Sequence, residues 1–403
     1  MKIKNNKLWY KPSNNVLNEQ IESYTVGIDY ILDKELIEYD INASIAHAKM
    51  LYSIKILSKK ELDSLIKGFG LLTKDLKTGN FKIEKNDEDC HTAIENYLCN
   101  ICGDVGKKIH TGRSRNDQIL TALRLHMKDK LNEFIKETNK LIDSLNAKMI
   151  KNSGIIMPGY THMQKAMPSS VSIWLGSFRD ALKDDLIVLN STLKIIDQNP
   201  LGSVAGYGEN TLGLDRNLTT KILGFSHTQD NPMYCALSRG KFELIILQAL
   251  SLVMFDIGKL CTDLMLFTTK EYNFVSLPNE FTTGSSVMPQ KHNYDVLELS
   301  IANVSLFNGI ISQLQNITEK LPSGYSRGFQ LTKEPYLKGI KNAIDTTKIT
   351  SLILDNLIIN IDVLKEACSS ELYATEEAYK LVKEKNIPFR DAYKIIGRKY
   401  NNP

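Results

Sequence analysis

Between Gly112 and Gly154 the chain contains neither glycine nor proline, the two residues that most readily end a helix. Over that stretch apolar residues return in steps of three and four, at Ile119, Leu120, Leu123, Met127, Leu131, Phe134, Ile135, Leu141, Ile142, Leu145 and Met149. This spacing places them on one face of a single amphipathic helix, about 50 Å long if unbroken. A stripe of that length needs other long helices beside it, so the feature predicts a bundle.

Four further apolar stretches of similar character occupy about 168–198, 233–268, 294–320 and 335–360, with Pro168 and Pro335 expected in first helical turns. Strand alternation is scarce. The expected fold is all-α: a long central helix bundle over 111–360, an N-terminal helical domain over 1–110 and a short C-terminal helical domain over 361–403. The first domain reads as helices near 29–52, 58–77 and 87–100, and the last as two short helical patterns separated near Pro388. Residues rich in Gly, Pro, Ser and Asn cluster at 199–213 and 278–290, between helices, where a rigid bundle can hold reactive loops.

Composition narrows the function classes. Lys and Arg number 50 against 46 Asp and Glu, a net charge of +4, and the basic residues form no block, which argues against a nucleic-acid surface. The N-terminus lacks an apolar signal region, and the most apolar stretch, Phe242 to Phe267, carries Glu243, Gln248, Asp256, Lys259 and Asp263, which suits a core helix and not a membrane span. Six cysteines show no paired framework; Cys99 and Cys102 form a lone C-x-x-C that reads as buried thiols before it reads as zinc ligands. A reducing cytoplasm is expected.

The segment Thr282-Thr-Gly-Ser-Ser-Val-Met-Pro-Gln-Lys-His-Asn293 joins a Gly-Ser-Ser loop to the start of a long helix, with Lys291 and Asn293 where they join. Backbone amides, a helix N-terminus and a lysine together suit an anion. Taken alone it could equally be a linker with a capping Asn and a solvated Lys. His110-Thr-Gly-Arg-Ser-Arg-Asn-Asp-Gln118 sets Arg113 and Arg115 at the positive end of the longest helix, an awkward placement unless an anion or acidic partners lie near. Pro158-Gly-Tyr-Thr-His-Met-Gln-Lys-Ala-Met-Pro168 reads as a polar loop with a single histidine, in isolation more often structural than catalytic.

Together these three segments resemble the signatures of the fumarase, aspartase and argininosuccinate lyase superfamily, and His110–Gln118 resembles the motif particular to the argininosuccinate lyases. Asn86-Asp-Glu-Asp-Cys-His-Thr92, Asn199–Gly208 and Leu321–Glu334 are similar to further loops of that family. The resemblance implies a carbon–nitrogen lyase that splits argininosuccinate into arginine and fumarate through an aci-carboxylate. It implies Ser285 as base, His162 as acid, Lys291 as the cation stabilising the aci-carboxylate and Glu298 as partner of the imidazole. Glu298 lies seven residues after Lys291, a spacing that would put both on one helix face. Substrate binding falls to Ser114, Arg115, Asn116, Thr161, Asn293, Tyr325, Gln330 and Lys333. A homotetramer is implied, each site drawing loops from three subunits, with no metal or organic cofactor and no nucleic-acid or membrane partner.

Some positions depart from the family pattern. Gly27 stands where many members carry a substrate-binding Ser, Tyr10-Lys-Pro-Ser13 replaces Gly-Gly-Arg-Phe, Tyr294 replaces a Pro, and Ser326 and Gly328 replace Asn and Asp. The chain also stops at Pro403, earlier than family chains usually do. These departures keep two alternatives in view: a weakened or structural, crystallin-like homologue, or another fumarate-releasing lyase of the superfamily.

Overall fold

A computed structural model of the chain describes residues 18–400; the substitutions at Tyr10–Ser13 lie outside the described residues. Five long helices dominate it: Arg115–Lys151, Val171–Ile196, Lys241–Phe267, Asp295–Thr318 and Lys333–Asn356. The fold is all-α, as expected. Contacts divide the chain into two compact units, one of residues 1–134, 189–250 and 308–341, the other of 135–188, 251–307 and 342–403.

In the first unit the N-terminal helices Ile37–Ser53, Lys59–Thr78 and Cys90–Cys102 enclose a core containing Leu51, Leu65, Phe69, Leu72, Leu98 and Ile109, all shut off from solvent. Ser58 and Glu61 form a reciprocal capping box at the start of Lys59–Thr78, and Gly79 ends it in the left-handed conformation. The region expected as one helix over 29–52 is broken: Asp29–Leu32 and a tight turn at Asp33–Glu35 precede Ile37. The break brings Asp29 and Asp33 onto buried Lys333, at 2.8 and 2.6 Å. Two carboxylates on one buried ammonium outweigh a straight run of helix, since an unpaired charge there would be far costlier.

The helices of this unit pack around polar anchors as well as apolar ones. Arg124 is buried, stacks 4.0 Å from the Phe242 ring and donates to the carbonyls of Ile196 and Gln198 and to Ser238 Oγ. The stretch expected as one helix over 233–268 is two, Pro232–Leu237 and Lys241–Phe267. Gly240 separates them at φ +78°, where a Cβ would stand 2.3 Å from Thr318 Cγ2, so only glycine fits and the helix cannot run through. Gly240 N–H donates instead to Glu243 Oε2 at 2.8 Å. By length and composition Lys241–Phe267 could cross a membrane, but half of its most apolar stretch is buried within the protein and it carries the charges noted above.

In the second unit, residues expected as a polar loop fold as a hairpin, Ile156–Thr161 against Gln164–Ser170. Pro168 therefore lies in a strand and not in a helical first turn; it pairs with Pro158, and the helix begins at Val171. Neither proline has an N–H to lose, and a two-stranded ribbon has only edges, so the pairing tolerates both. Pro335 does sit in the first turn of its helix. Trp174, Phe267, Tyr272, Phe274 and Tyr160 form a chain of ring contacts behind the hairpin. The tail holds three helices, Ile361–Ala367, Ala374–Lys385 and Phe389–Tyr400, one more than its pattern suggested.

Asp185 is buried on Val171–Ile196 beside Asp256 of Lys241–Phe267. Burial, then the neighbouring Asp256 and Asp184, push its pKa up to about 7, and burial raises that of Asp256 as well. The native pair thus holds a proton that an unfolded aspartate releases around 3.8. The stability tied to that proton is complete below the unfolded value and is lost as pH rises through about 7. Asp185→Asn should flatten this dependence: calorimetry at pH 5 and pH 8 should show a melting temperature that falls by a few °C more in the parent than in the variant. Equal pH slopes would exclude the shared proton.

Candidate active site

The sequence-predicted residues fall into three groups, each built by a different local device. The first lies at the start of the longest helix. Ser114 precedes it, and Asp117, three residues on, turns back to accept the Ser114 N–H at 2.9 Å. The other Asp117 oxygen accepts from Gly202 and Val204 N–H at 3.0 and 3.1 Å, joining this motif to the Gly-rich 199–208 segment. Burial, opposed by these amides, raises its pKa to about 6.

The cations of this motif have acidic partners, which removes the electrostatic difficulty seen in the sequence. Arg115 Nη1 meets Glu88 at 3.2 Å and Asp89 at 3.5 Å, while Nη2 donates to Thr92 Oγ1 at 2.9 Å. Asp89 also caps Cys90–Cys102 by accepting from Thr92 N–H at 2.8 Å. Arg113 is buried and donates to Ser44 Oγ at 2.7 Å. The 86–92 and 110–118 motifs are therefore one assembly.

Arg115 and Asn116 line a small cavity of about 40 Å³ together with Tyr325, Gln330 and Lys333, so five predicted residues converge there. Gln330 is held in place by donating to the carbonyls of Thr25 and Val26 at 3.1 and 3.0 Å, beside Gly27. Gly27 has φ +58° and ψ −130°, a conformation that disfavours the serine common in the family. Lys333 reaches the cavity with its ammonium already shared by Asp29 and Asp33. Sequence reasoning missed Asp29, Asp89, His91, Arg239 and Arg327, which line the same cavity. For His91 and Asp89 the signal was present in the 86–92 motif; for Asp29 and Arg239 there was none.

The second group is the 282–294 loop. Thr283 and Asn293 exchange backbone hydrogen bonds at 3.0 and 2.8 Å, closing the loop at its neck. Ser285 Oγ accepts from the amides of Met288 and Val287 at 3.0 and 3.3 Å. Lys291, Asn293 and Glu298 line one cavity of about 770 Å³ with Thr268, Thr269, Lys270 and His292; Ser285 is not among its lining residues. The helical spacing expected for Lys291 and Glu298 is not what joins them. The helix starts at Asp295, and the Thr283–Asn293 pairing keeps Lys291 in the loop. They share the cavity because the loop folds back over the helix start.

The third group is the hairpin tip. Thr161 and Gln164 pair, leaving His162 and Met163 as a two-residue turn at φ +53° and +61°. Such turns favour Asn-Gly, because side chains at positive φ are strained. A His-Met turn at an exposed tip serves no packing purpose, and strain of this kind gathers at functional positions.

Residues 25–306 match the sequence profile of the lyase family. The chain is 42% identical to the argininosuccinate lyase of Thermotoga neapolitana across 98% of each chain. The chain belongs to the argininosuccinate lyase family. Solved structures extend the likeness in fold alone: an EDDS lyase in complex with formate has a TM-score of 0.81 at 21% identity, covering 96% of this chain and 76% of that one. A class II fumarase from Schistosoma mansoni has a TM-score of 0.79 at 17% identity, with 97% and 91% covered. Within the argininosuccinate lyase family, the strained turn of this chain sits on the histidine that the motif singled out.

Replacing His162-Met163 by Asn-Gly tests what the strain serves. The change should raise stability in urea by about 1 kcal/mol while lowering turnover at least about a hundredfold. A double variant that is no more stable, or that keeps its activity, would show that the turn carries no functional strain.

Proposed function

We propose that this chain cleaves argininosuccinate to arginine and fumarate, with Ser285 removing the carbon-bound proton and His162 protonating the leaving guanidino nitrogen. The observation that carries the assignment of the base is the pair of amides on Ser285 Oγ. A serine hydroxyl is a poor base; two N–H donors aimed at its oxygen favour the oxyanion and make it a better one. Lys291 and the loop amides hold the charge that develops on the neighbouring carboxylate. Glu298, in the first turn of Asp295–Thr318, orients the imidazole. Ser114, Arg115, Asn116, Thr161, Asn293, Tyr325, Gln330 and Lys333 bind the substrate.

The three groups act together in a homotetramer, in which loops of different subunits meet at each site. Support comes from Asp295–Thr318, which has no charged residue between Leu299 and Thr318 yet leaves Leu299 and Leu306 more than 60% exposed, at 63% and 62%. Phe255 and Ile187 of the same unit are also exposed, at 60% and 66%. Apolar surface on this scale marks a contact with further protein. The six cysteines, free in the structure, suit a cytoplasmic enzyme.

The test is fumarate release, followed by its ultraviolet absorbance, from purified protein given argininosuccinate. Ser285→Ala should lower kcat by about 10²–10⁴-fold with KM little changed. No turnover from the folded parent would overturn the lyase reading, and an active Ser285→Ala would displace Ser285 as base. Sedimentation should give a tetramer of the 45.5 kDa chain, and Leu306→Glu should dissociate it with loss of activity; an active monomer would refute the shared site.

A further inference from the structure

Three side chains of different chemistry converge in the core of the first unit. Asp40 lies on Ile37–Ser53, while Cys90 and His91 open Cys90–Cys102. Asp40 and Cys90 are completely buried and His91 is 4% exposed. His91 Nδ1 stands 2.8 Å from Asp40 Oδ2, and Cys90 Sγ stands 3.8 Å from each of these atoms. Among the described residues this is the one place where three or more His, Cys, Asp or Glu side chains bring ligating atoms together. The lone C-x-x-C does not compete: Cys102 Sγ turns aside to the Ser64 carbonyl at 3.4 Å.

A hydrogen-bonded Asp–His pair needs no thiol, so the sulfur is what distinguishes this cluster. Around a tetrahedral zinc, with bonds of about 2.0 Å to nitrogen and oxygen and about 2.3 Å to sulfur, neighbouring ligand atoms lie about 3.3–3.6 Å apart. Shifts of about half an ångström or less bring the observed triangle to that size. Coordination removes the protons on Nδ1 and Sγ as one divalent cation enters, so two positive charges leave and two arrive. The net buried charge is unchanged, which limits the cost of placing an ion there. The surroundings also favour positive charge. Burial lowers the pKa of His91, but Asp40, then Asp89 and Asp33, outweigh it and raise it. Asp40 is steadied from behind: Ser44 Oγ lies 3.5 Å from its Oδ1 and itself accepts from Arg113 at 2.7 Å. Thiolate and imidazole select zinc or cobalt over magnesium or calcium.

We propose that Asp40 Oδ2, Cys90 Sγ and His91 Nδ1 bind one thiophilic divalent cation, zinc or cobalt, with solvent in the fourth position. The site is separate from the reaction, for which the family resemblance implies no metal, and it does not depend on the lyase reading. The cation ties Ile37–Ser53 to the start of Cys90–Cys102. It also leaves the ring proton of His91 on Nε2, a buried nitrogen with no hydrogen-bond partner. Its effect is to fix two N-terminal helices and the orientation of one ring beside the Arg115 cavity.

The experiment strips the purified full-length chain with a chelator and titrates it with cobalt and with zinc. Cobalt should bind at one equivalent per chain, with a sulfur-to-cobalt charge-transfer band in the near ultraviolet and the intense visible bands of a low-coordinate ion. Cys90→Ala and Asp40→Asn should each weaken binding at least about a hundredfold, and Cys90→Ala should abolish the charge-transfer band. Zinc at about a hundredfold excess over its Kd should raise the melting temperature of the parent by about 3 °C and leave that of Cys90→Ala unchanged. A Cys99→Ser, Cys102→Ser double variant should bind as the parent does. Cys90→Ser is close to the native side chain in size and should also lose the band, which keeps the test open should Asp40→Asn or Cys90→Ala not fold. A bound cobalt without the sulfur band, binding that survives loss of the Cys90 thiol, binding that follows Cys99 and Cys102, or no binding at all would overturn the proposal.

Discussion

A helix satisfies its own backbone along its length and leaves unpaired amides and carbonyls only at its ends. In a protein dominated by five long helices, unmet hydrogen-bonding capacity is therefore concentrated at helix starts and in the segments between helices. The residues proposed for the chemistry follow that distribution. Arg115 and Asn116 begin one helix, Glu298 lies in the first turn of another, Lys333 opens a third, and His162 precedes a fourth on its hairpin. The apolar stripe from Ile119 to Met149 serves the packing of its helix.

What fixes those ends is a small set of polar ties, most of them buried. Asp117 joins two loops remote in sequence through three amides. Lys333 draws Asp29 and Asp33 across 300 residues of chain, and Gln330 grips the backbone around Gly27. The Asp117 and Lys333 ties are intolerant of loss, because the groups they satisfy would be stranded away from water. Arg115, Lys333 and Gln330 each touch both the cavity and the framework behind it.

Much of this was legible before any coordinates. The period of apolar residues specified the long helices, and the motifs at 110–118, 158–168 and 282–293 singled out most of the residues proposed for the site. What escaped was governed by contacts remote in sequence. Gly240 looked like an ordinary helical glycine until Thr318 was packed against it. Pro168 looked like a helix starter until Pro158 lay opposite. Lys291 and Glu298 were expected on one helical face, whereas a backbone pairing at Thr283 and Asn293 holds the lysine outside the helix. Arg239 belonged to no recognisable motif, and only burial beside His91 reveals its position.

The uncharged run from Leu299 to Thr318 bears on the life of the chain before the proposed assembly. A copy outside the proposed tetramer displays Leu306 within a run that has no charge to discourage mispairing. Such a surface sets a kinetic contest between correct docking and aggregation, decided by local concentration during synthesis. In the proposed homotetramer each docked copy would be stabilised by mass action, so dilution alone would shorten its working lifetime. The helix that frames the site would thereby couple the durability of the catalyst to its abundance.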